Sequence, residues 1–238
     1  MMSLSKEWSI LSKNIYGQSF INELSGFLKD HDVENILECC CGDGNILQGL
    51  AKKGFRGVGL DSSAEMISLA RKNHSHPNIK YLELDLRCLN SINNNFDIVI
   101  CRGGSLMSCT TWDKPLSSFD HEESSKFIID SIRSMYSKLE KGGLIYLDTA
   151  SDKEKPGKIE LKFKDLHLNG TISYDLDKKM RITRGSGIVD GEYFSGECAS
   201  YLLTSNELEE IVKSIGPQKV WRQALEHETH YDIVCAKK

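Results

Sequence analysis

The residues best suited to chemistry stand close together near the start of the chain. Ile36-Leu37-Glu38-Cys39-Cys40-Cys41-Gly42-Asp43-Gly44 carries an apolar run into a Gly-x-Gly turn, and a second apolar run ends in Asp61, 17 residues after Gly44. Glycine at 42 and 44 leaves out Cβ where the backbone must turn sharply and admit a ligand. A carboxylate at the end of the next strand can accept hydrogen bonds from a ribose diol. Strand, glycine turn, helix, strand and acid is how a doubly wound α/β domain builds a nucleoside pocket. The third glycine of the dinucleotide fingerprint is missing, so the pattern leans away from nicotinamide dinucleotides. Glu38 and Asp85 add two acids at or near strand ends, and ligands of such sheets bind beyond those ends.

These groups converge only if the surrounding elements bring them together. Apolar runs at Asn35–Cys40, Gly57–Leu60, Ile79–Asp85, Phe96–Cys101 and Gly143–Asp148 predict strands. A helix from Asn45 to Lys53 stops at Gly54. Ser62-Ser63-Ala64-Glu65 is a capping box for a second, with Met66, Leu69 and Ala70 facing inward. Asp120-x-x-Glu123 opens a third, with Ile128, Ile132, Met135 and Leu139 on one face and Gly142-Gly143 as its stop. Strands alternating with helices imply a parallel sheet with right-handed crossovers. After Asp148 the pattern changes. A charged loop through Pro156 and Gly157 leads into alternating residues 158–168, a hairpin turn at Asn169-Gly170 and further antiparallel stretches at 171–175, 179–183 and 191–204. Thr204-Ser205-Asn206-Glu207 caps a last helix, stopped by Gly216-Pro217 and followed by strands over 219–225 and 229–236. The expected organisation is an N-terminal helical lid (1–32), an α/β core (33–150), a β-rich substrate cover (151–204) and a helix with two strands that complete the core (205–238).

Composition narrows the class. The 238 residues, 39% hydrophobic and 27% charged, suit one soluble domain with an elaboration. A net charge of −4 weighs against nucleic acid as a partner. Residues 1–20 are polar, without the apolar stretch of a signal peptide, and no run approaches the ~18 apolar residues of a membrane span. Of eight cysteines, Cys39, Cys40 and Cys41 are adjacent and alternate faces in a strand, so they cannot form one tetrahedral metal site. No C-x-x-C pair occurs. The expectation is no metal, and reduced, buried thiols in a cytoplasmic protein.

Five ordered elements carry a family resemblance. Glu38-x-x-x-Gly42-x-Gly44, Asp61, Asp85-Leu86, Phe96-Asp97-Ile98-Val99-Ile100-Cys101 and Lys141-Gly142-Gly143-Leu144 resemble motifs I to IV, and the turn before the fifth strand, of class I S-adenosylmethionine-dependent methyltransferases. The resemblance implies a Rossmann-like seven-stranded sheet with helices on both faces and an antiparallel β insertion after the fifth strand. It implies S-adenosylmethionine as cofactor. Glu38 would lie near its ammonium, Asp61 on its ribose and Asp85-Leu86 at its adenine, with Gly42, Gly44, Ser62, Met66 and Cys101 bordering it. Tyr16 would fold over the cofactor or simply pack.

The order Ile100-Cys101-Arg102-Gly103-Gly104-Ser105-Leu106, an acidic loop, a helix, Gly-Gly and antiparallel strands looks most like the glycine N-methyltransferase-like group. Members acting on glycine carry Asn where Gly104 stands and Arg near Thr149-Ala150-Ser151, so glycine itself is not the expected substrate. Arg102, Arg181 or Arg184 could replace that cation for an anionic acceptor, or each could be a structural ion pair. Base candidates are His121, Tyr193, His227 and His230, and Trp112 and Phe119 could form an aromatic wall. The catalytic set expected is His121, Arg102 and Tyr193. The expected reaction is methyl transfer to a small molecule, preferably an amine nitrogen, by a monomer or homo-oligomer. The alternatives are a hydroxyl acceptor, a protein acceptor or a non-catalytic cofactor-binding subunit. The Asn/Asp-Pro-Pro-aromatic run of nucleic-acid amino-methyltransferases is missing after the fourth strand.

Overall fold

In the computed structural model, which describes residues 4–163, 166–189 and 191–238, two helices precede the sheet: α1 (Leu4–Ile15) and α2 (Gln18–Lys29). Then follow β1 (Asn35–Cys39), α3 (Asn45–Ala51), β2 (Arg56–Asp61), α4 (Ala64–Asn73), β3 (Ile79–Glu83), β4 (Phe96–Cys101), the short α5 (Ser105–Ser108), α6 (His121–Ser137) and β5 (Leu139–Ala150). The antiparallel insertion is β6 (Gly157–Phe163), β7 (Leu166–Asp175), β8 (Met180–Val189) and β9 (Glu192–Tyr201); α7 (Ser205–Ser214), β10 (Lys219–Gln223) and β11 (Tyr231–Lys237) close the chain. Met1–Ser3 of the expected lid and residues 164, 165 and 190 of the expected cover lie outside the described residues.

The main sheet has the order β10-β11-β5-β4-β1-β2-β3, and only β10 and β11 run antiparallel to their neighbours. Chain order reverses between β1 and β4, so the switch point lies over the ends of β1 and β4, where Gly42 and Gly103 follow. Leu37, Val99, Ile145, Leu147 and Val234 face a core shared with α6 and α7. Ile36, Ile98, Ile100, Tyr146 and Cys235 face a second core shared with α2 and α3. Strands buried on both faces need apolar residues at every position, which is why they appear in the sequence as unbroken runs. A third, small cluster of Leu11, Leu166, Leu168 and Phe194 seats the insertion on α1. No helix among the described residues is long and apolar enough to cross a membrane.

Three local expectations are corrected. Asn169-Gly170 is not a turn but the middle of β7, paired to Glu160 and Ile159 on one side and to Ser186 and Gly185 on the other. A Cβ on Gly170 would collide with the Arg184 carbonyl oxygen, so the glycine serves close strand approach. Gly142-Gly143 does not end a helix: α6 stops at Ser137, and Leu139 already pairs with Phe96 in β5. The register shifts between Phe96 and Ile98, and a Cβ on Gly143 would lie 3.0 Å from the Asp97 carbonyl oxygen, so the glycines serve this irregularity. The third strand ends at Glu83, and Asp85 instead caps a 3-10 turn over Leu86–Ser91.

Candidate active site

The glycine turn is fixed from three sides. Gly42 and Gly44 have φ of +55° and +76°, the left-handed region that favours glycine. From below, Tyr81 on β3 donates its hydroxyl to the carbonyls of Gly44 and His74 (3.2 and 3.1 Å), and a Cβ on Gly44 would sit 2.6 Å from Tyr81 Cζ. From the side, Asp61 Oδ2 accepts from the Gly42 N–H and Oδ1 from the Ser63 N–H, both at 2.9 Å. Burial lifts the Asp61 carboxyl to about 6, with Cys40 adding to the lift and the backbone donors opposing it. From above, Ser9 on α1 donates to buried Asp43 at 2.6 Å, and Lys13 stands 3.8 Å from the same oxygen. His74 Nδ1 donates to the Asp43 carbonyl at 2.8 Å. These contacts stitch α1 over the turn.

Between the turn, α1, the loop after β4 and the insertion lies a cavity of about 280 Å³. Cys40, Gly42, Asp61, Ser62 and Met66 line its core side, and Gly103, Gly104, Ser105 and Cys109 continue that wall. Glu7, Trp8 and Leu11 descend from α1; Trp112 meets Trp8 edge-on at 6.2 Å between ring centroids. The insertion adds Leu168, Arg181, Arg184, Phe194 and Cys198. Both of its arginines are engaged. Glu154 accepts two hydrogen bonds from Arg181 (2.7 and 2.6 Å), and Glu197 accepts one from Arg184 at 3.1 Å. Glu7 meets no donor among the described residues, and burial alone pushes its carboxyl up to about 7.

Beyond Gly103 the polar groups are denser. Arg102, 7% exposed, places its guanidinium carbon over the rings of Tyr16 and Phe20, 3.7 and 4.8 Å from their centroids. Glu228 Oε2 is 4.0 Å from its Nη2, and buried Glu38 and Asp148 are close enough to act on its charge. Burial opposes the guanidinium charge, but Tyr16, Glu38, Tyr146 and Asp148 outweigh it, so Arg102 stays a cation. Burial pushes Glu38 and Asp148 up to about 7 against the pull of Arg102. Asp148 also accepts from the N–H groups of Gly103 and Gly104 at 2.7 and 2.9 Å, which sets the loop after β4. Among the described residues, Tyr16 Oη, Glu38 Oε2, Arg102 Nε and Nη2, Tyr146 Oη and Glu228 Oε2 are buried without a hydrogen-bond partner. Each such atom costs about 1–3 kcal/mol, so their concentration marks a place made for a polar ligand. A zwitterionic amino-acid tail, with one carboxylate and one ammonium, fits this mixture of signs.

The structure sorts the residues singled out from sequence. Gly42, Asp61, Ser62 and Met66 line the cavity. Gly44 lies beneath it against Tyr81, while Glu38, Tyr16 and Arg102 gather in the polar cluster behind Gly103. Cys101 is buried at the end of β4. Asp85 and Leu86 do not line the cavity: Asp85 is held below the usual carboxylate range by Arg87, which donates at 2.8 and 2.6 Å, and Leu86 packs in the core. His121 is exposed at the start of α6 beside Tyr201, and Tyr193 is 65% exposed; neither reaches the cavity. Strand alternation turns Phe194 inward and Tyr193 outward. His227 is hydrogen-bonded to Glu23 and His230 is exposed. Trp112 lines the cavity and Phe119 does not. Sequence reasoning missed Glu7, Trp8, Asp43 and Asp148. One signal was available for Glu7: an acid one helical turn before Leu11, on the apolar side of α1.

Comparison with known proteins shows likeness in sequence and fold. Residues 36–120 match the family model described as a methyltransferase domain. Over 118 residues, 49% of this chain, the sequence is 30% identical to "Putative methyltransferase YqeM" of Bacillus subtilis (strain 168), spanning 42% of that protein's length. An S-adenosylmethionine-dependent methyltransferase from Clostridium acetobutylicum superposes with a TM-score of 0.69 at 17% identity, covering 98% of this chain and 97% of the other. CalS10 of Micromonospora echinaspora, an amino pentose methyltransferase of calicheamicin biosynthesis solved with S-adenosylmethionine bound, superposes with a TM-score of 0.71 at 15% identity, covering 100% and 98%.

Proposed function

We propose that this chain is a class I S-adenosylmethionine-dependent methyltransferase that transfers the methyl group to an amine nitrogen of a small molecule, a reading supported by its fold and its matched domain. The observation that carries the amine is the charge pattern of the acceptor side. Glu7 is a carboxyl without a partner among the described residues, beside the rings of Trp8 and Trp112, while Arg181 and Arg184 are already paired. A protonated amine is attracted by such rings and by an anion. A carboxylate acceptor would have to displace Glu154 or Glu197. The amine reading also accords with the amino pentose named for CalS10.

When bound, S-adenosylmethionine supplies a methyl carbon made electrophilic by its sulfonium. In this reading Asp61 accepts from the ribose diol, Glu38 faces the ammonium of the tail and Arg102 its carboxylate. Gly42 lets the backbone approach, with Ser62 and Met66 alongside. Asp85 would have to release Arg87 before it could meet an adenine edge. Glu7 Oε takes a proton from the acceptor ammonium, freeing the lone pair that must attack in line. α1 and the insertion exclude water and hold the acceptor's approach, and such positioning is worth about 7–11 kcal/mol in favourable cases. The glycine N-methyltransferase-like group remains a resemblance. A Cβ on Gly104 would fall 2.8 Å from both Met107 Cε and Tyr231 Cε1, so an Asn there would require these side chains to shift.

The test is a panel of amines, amino sugars, amino acids and phenols, read by S-adenosylhomocysteine release. Turnover confined to amines supports the proposal. Turnover confined to hydroxyls overturns the nitrogen assignment, and cofactor binding without turnover on any acceptor points to a non-catalytic subunit.

A further inference from the structure

Cys40 is an anomaly in the glycine turn. It has φ of +54°, a conformation that costs a non-glycine residue of order 1–3 kcal/mol and clusters at functional positions. Its sulfur lies 3.5 Å from Cys109 Sγ, brought from the loop after α5, 69 residues away in sequence. Both residues line the cavity. Buried Cys101 ends β4 opposite Cys39, next to Cys40. Cys101 and Cys109 beside it hold the Cys40 thiol well below its ordinary range. Among the described residues no three His, Cys, Asp or Glu side chains form a metal-holding group.

We propose that Cys40 and Cys109 are a peroxide-sensitive thiol pair whose oxidation to a disulfide closes the cofactor cavity. The Cys40 thiolate attacks one oxygen of a hydroperoxide. An S–O bond forms, the O–O bond breaks, and hydroxide or alkoxide leaves with the electron pair. Cys109 then attacks the sulfenic sulfur. The S–S bond forms, the S–O bond breaks, and the departing hydroxide leaves as water with the Cys109 proton. Overall two thiols give up two electrons and two protons, and hydrogen peroxide becomes two waters. The sulfurs must close from 3.5 Å to a bond of about 2.05 Å. That movement draws the loop carrying Gly103, Gly104 and Ser105 against the turn carrying Gly42, two walls of the same cavity. The pair itself depends on the thiols alone; its effect on the cavity rests on the cofactor assignment above.

The test treats purified reduced protein with hydrogen peroxide, maps thiols by mass spectrometry without reduction, and measures S-adenosylhomocysteine affinity before and after. The expected result is a Cys40–Cys109 linked peptide, a loss of about tenfold or more in affinity, and recovery of both with dithiothreitol. Cys109→Ser should yield no linkage and leave a dimedone-reactive sulfenic acid on Cys40. Oxidation without that linkage overturns the pair, and a linkage that leaves affinity unchanged overturns the closure. If reduced protein fails to bind S-adenosylhomocysteine, the cofactor assignment and the closure fall together, while the peptide map still decides the pair.

Discussion

The two walls of the cavity are built by different rules. On the core side the wall is backbone and a carboxylate clamped by backbone, Asp61 by Gly42 and Ser63, and behind it Asp148 is clamped by Gly103 and Gly104. On the insertion side they are side chains on alternate positions of antiparallel strands, with ion pairs such as Arg184–Glu197 half in solvent. A substitution on the first wall disturbs the turn that makes the pocket. On the second it changes only what the pocket admits. In the proposed function the first wall would be a fixed donor site and the second a variable acceptor site.

The contrast can be broken by substitution. Arg102→Met leaves Glu38, Asp148 and Glu228 without their buried cation, so unfolding by urea should show a loss of about 3–5 kcal/mol. A loss under 1 kcal/mol would mean that the cluster is not electrostatically coupled. Glu7→Gln should lower kcat/KM for an amine by about 10²-fold while sparing cofactor affinity. With cofactor saturating, the wild-type rate should rise with pH through about 7 as Glu7 loses its proton, and the variant should keep only the acceptor's own titration. Stability runs the other way. A carboxyl raised from 4.5 to about 7 favours the native state fully below 4.5, and that contribution fades as pH rises through about 7. Asp61→Ala should weaken S-adenosylhomocysteine binding by about 1.5–3 kcal/mol, read as a lost ligand-induced rise in Tm; unchanged binding would remove Asp61 from the site. Arg184→Ala, at a half-exposed pair, should stay within about 0.5 kcal/mol in stability. A large effect there would erase the distinction between the walls.

The same distinction governs what could be read from sequence. Doubly buried strands announce themselves as unbroken apolar runs, and a glycine turn ending near Asp61 has local spacing, so the core and donor side were legible. Asn169-Gly170 misled because a glycine serves equally for a turn or for close strand approach, and pairing with Arg184 decides which. Tyr193 lies one residue from Phe194, and a single step of register exchanges the inner and outer faces. Glu7 meets the cavity only because α1 docks from above through Ser9 and Asp43, a contact spanning 34 residues. Asp85 has a local competitor, Arg87, two positions away.

The docking of α1 has a kinetic corollary. Ser9 and Lys13 grip the glycine turn from the same short helix that brings Glu7 and Trp8 to the cavity. If Glu7 is the base proposed above, lifting that helix to exchange the spent donor would withdraw the proton acceptor and the aromatic wall in one motion. Deprotonation of the acceptor would then be tied to the closed, loaded enzyme.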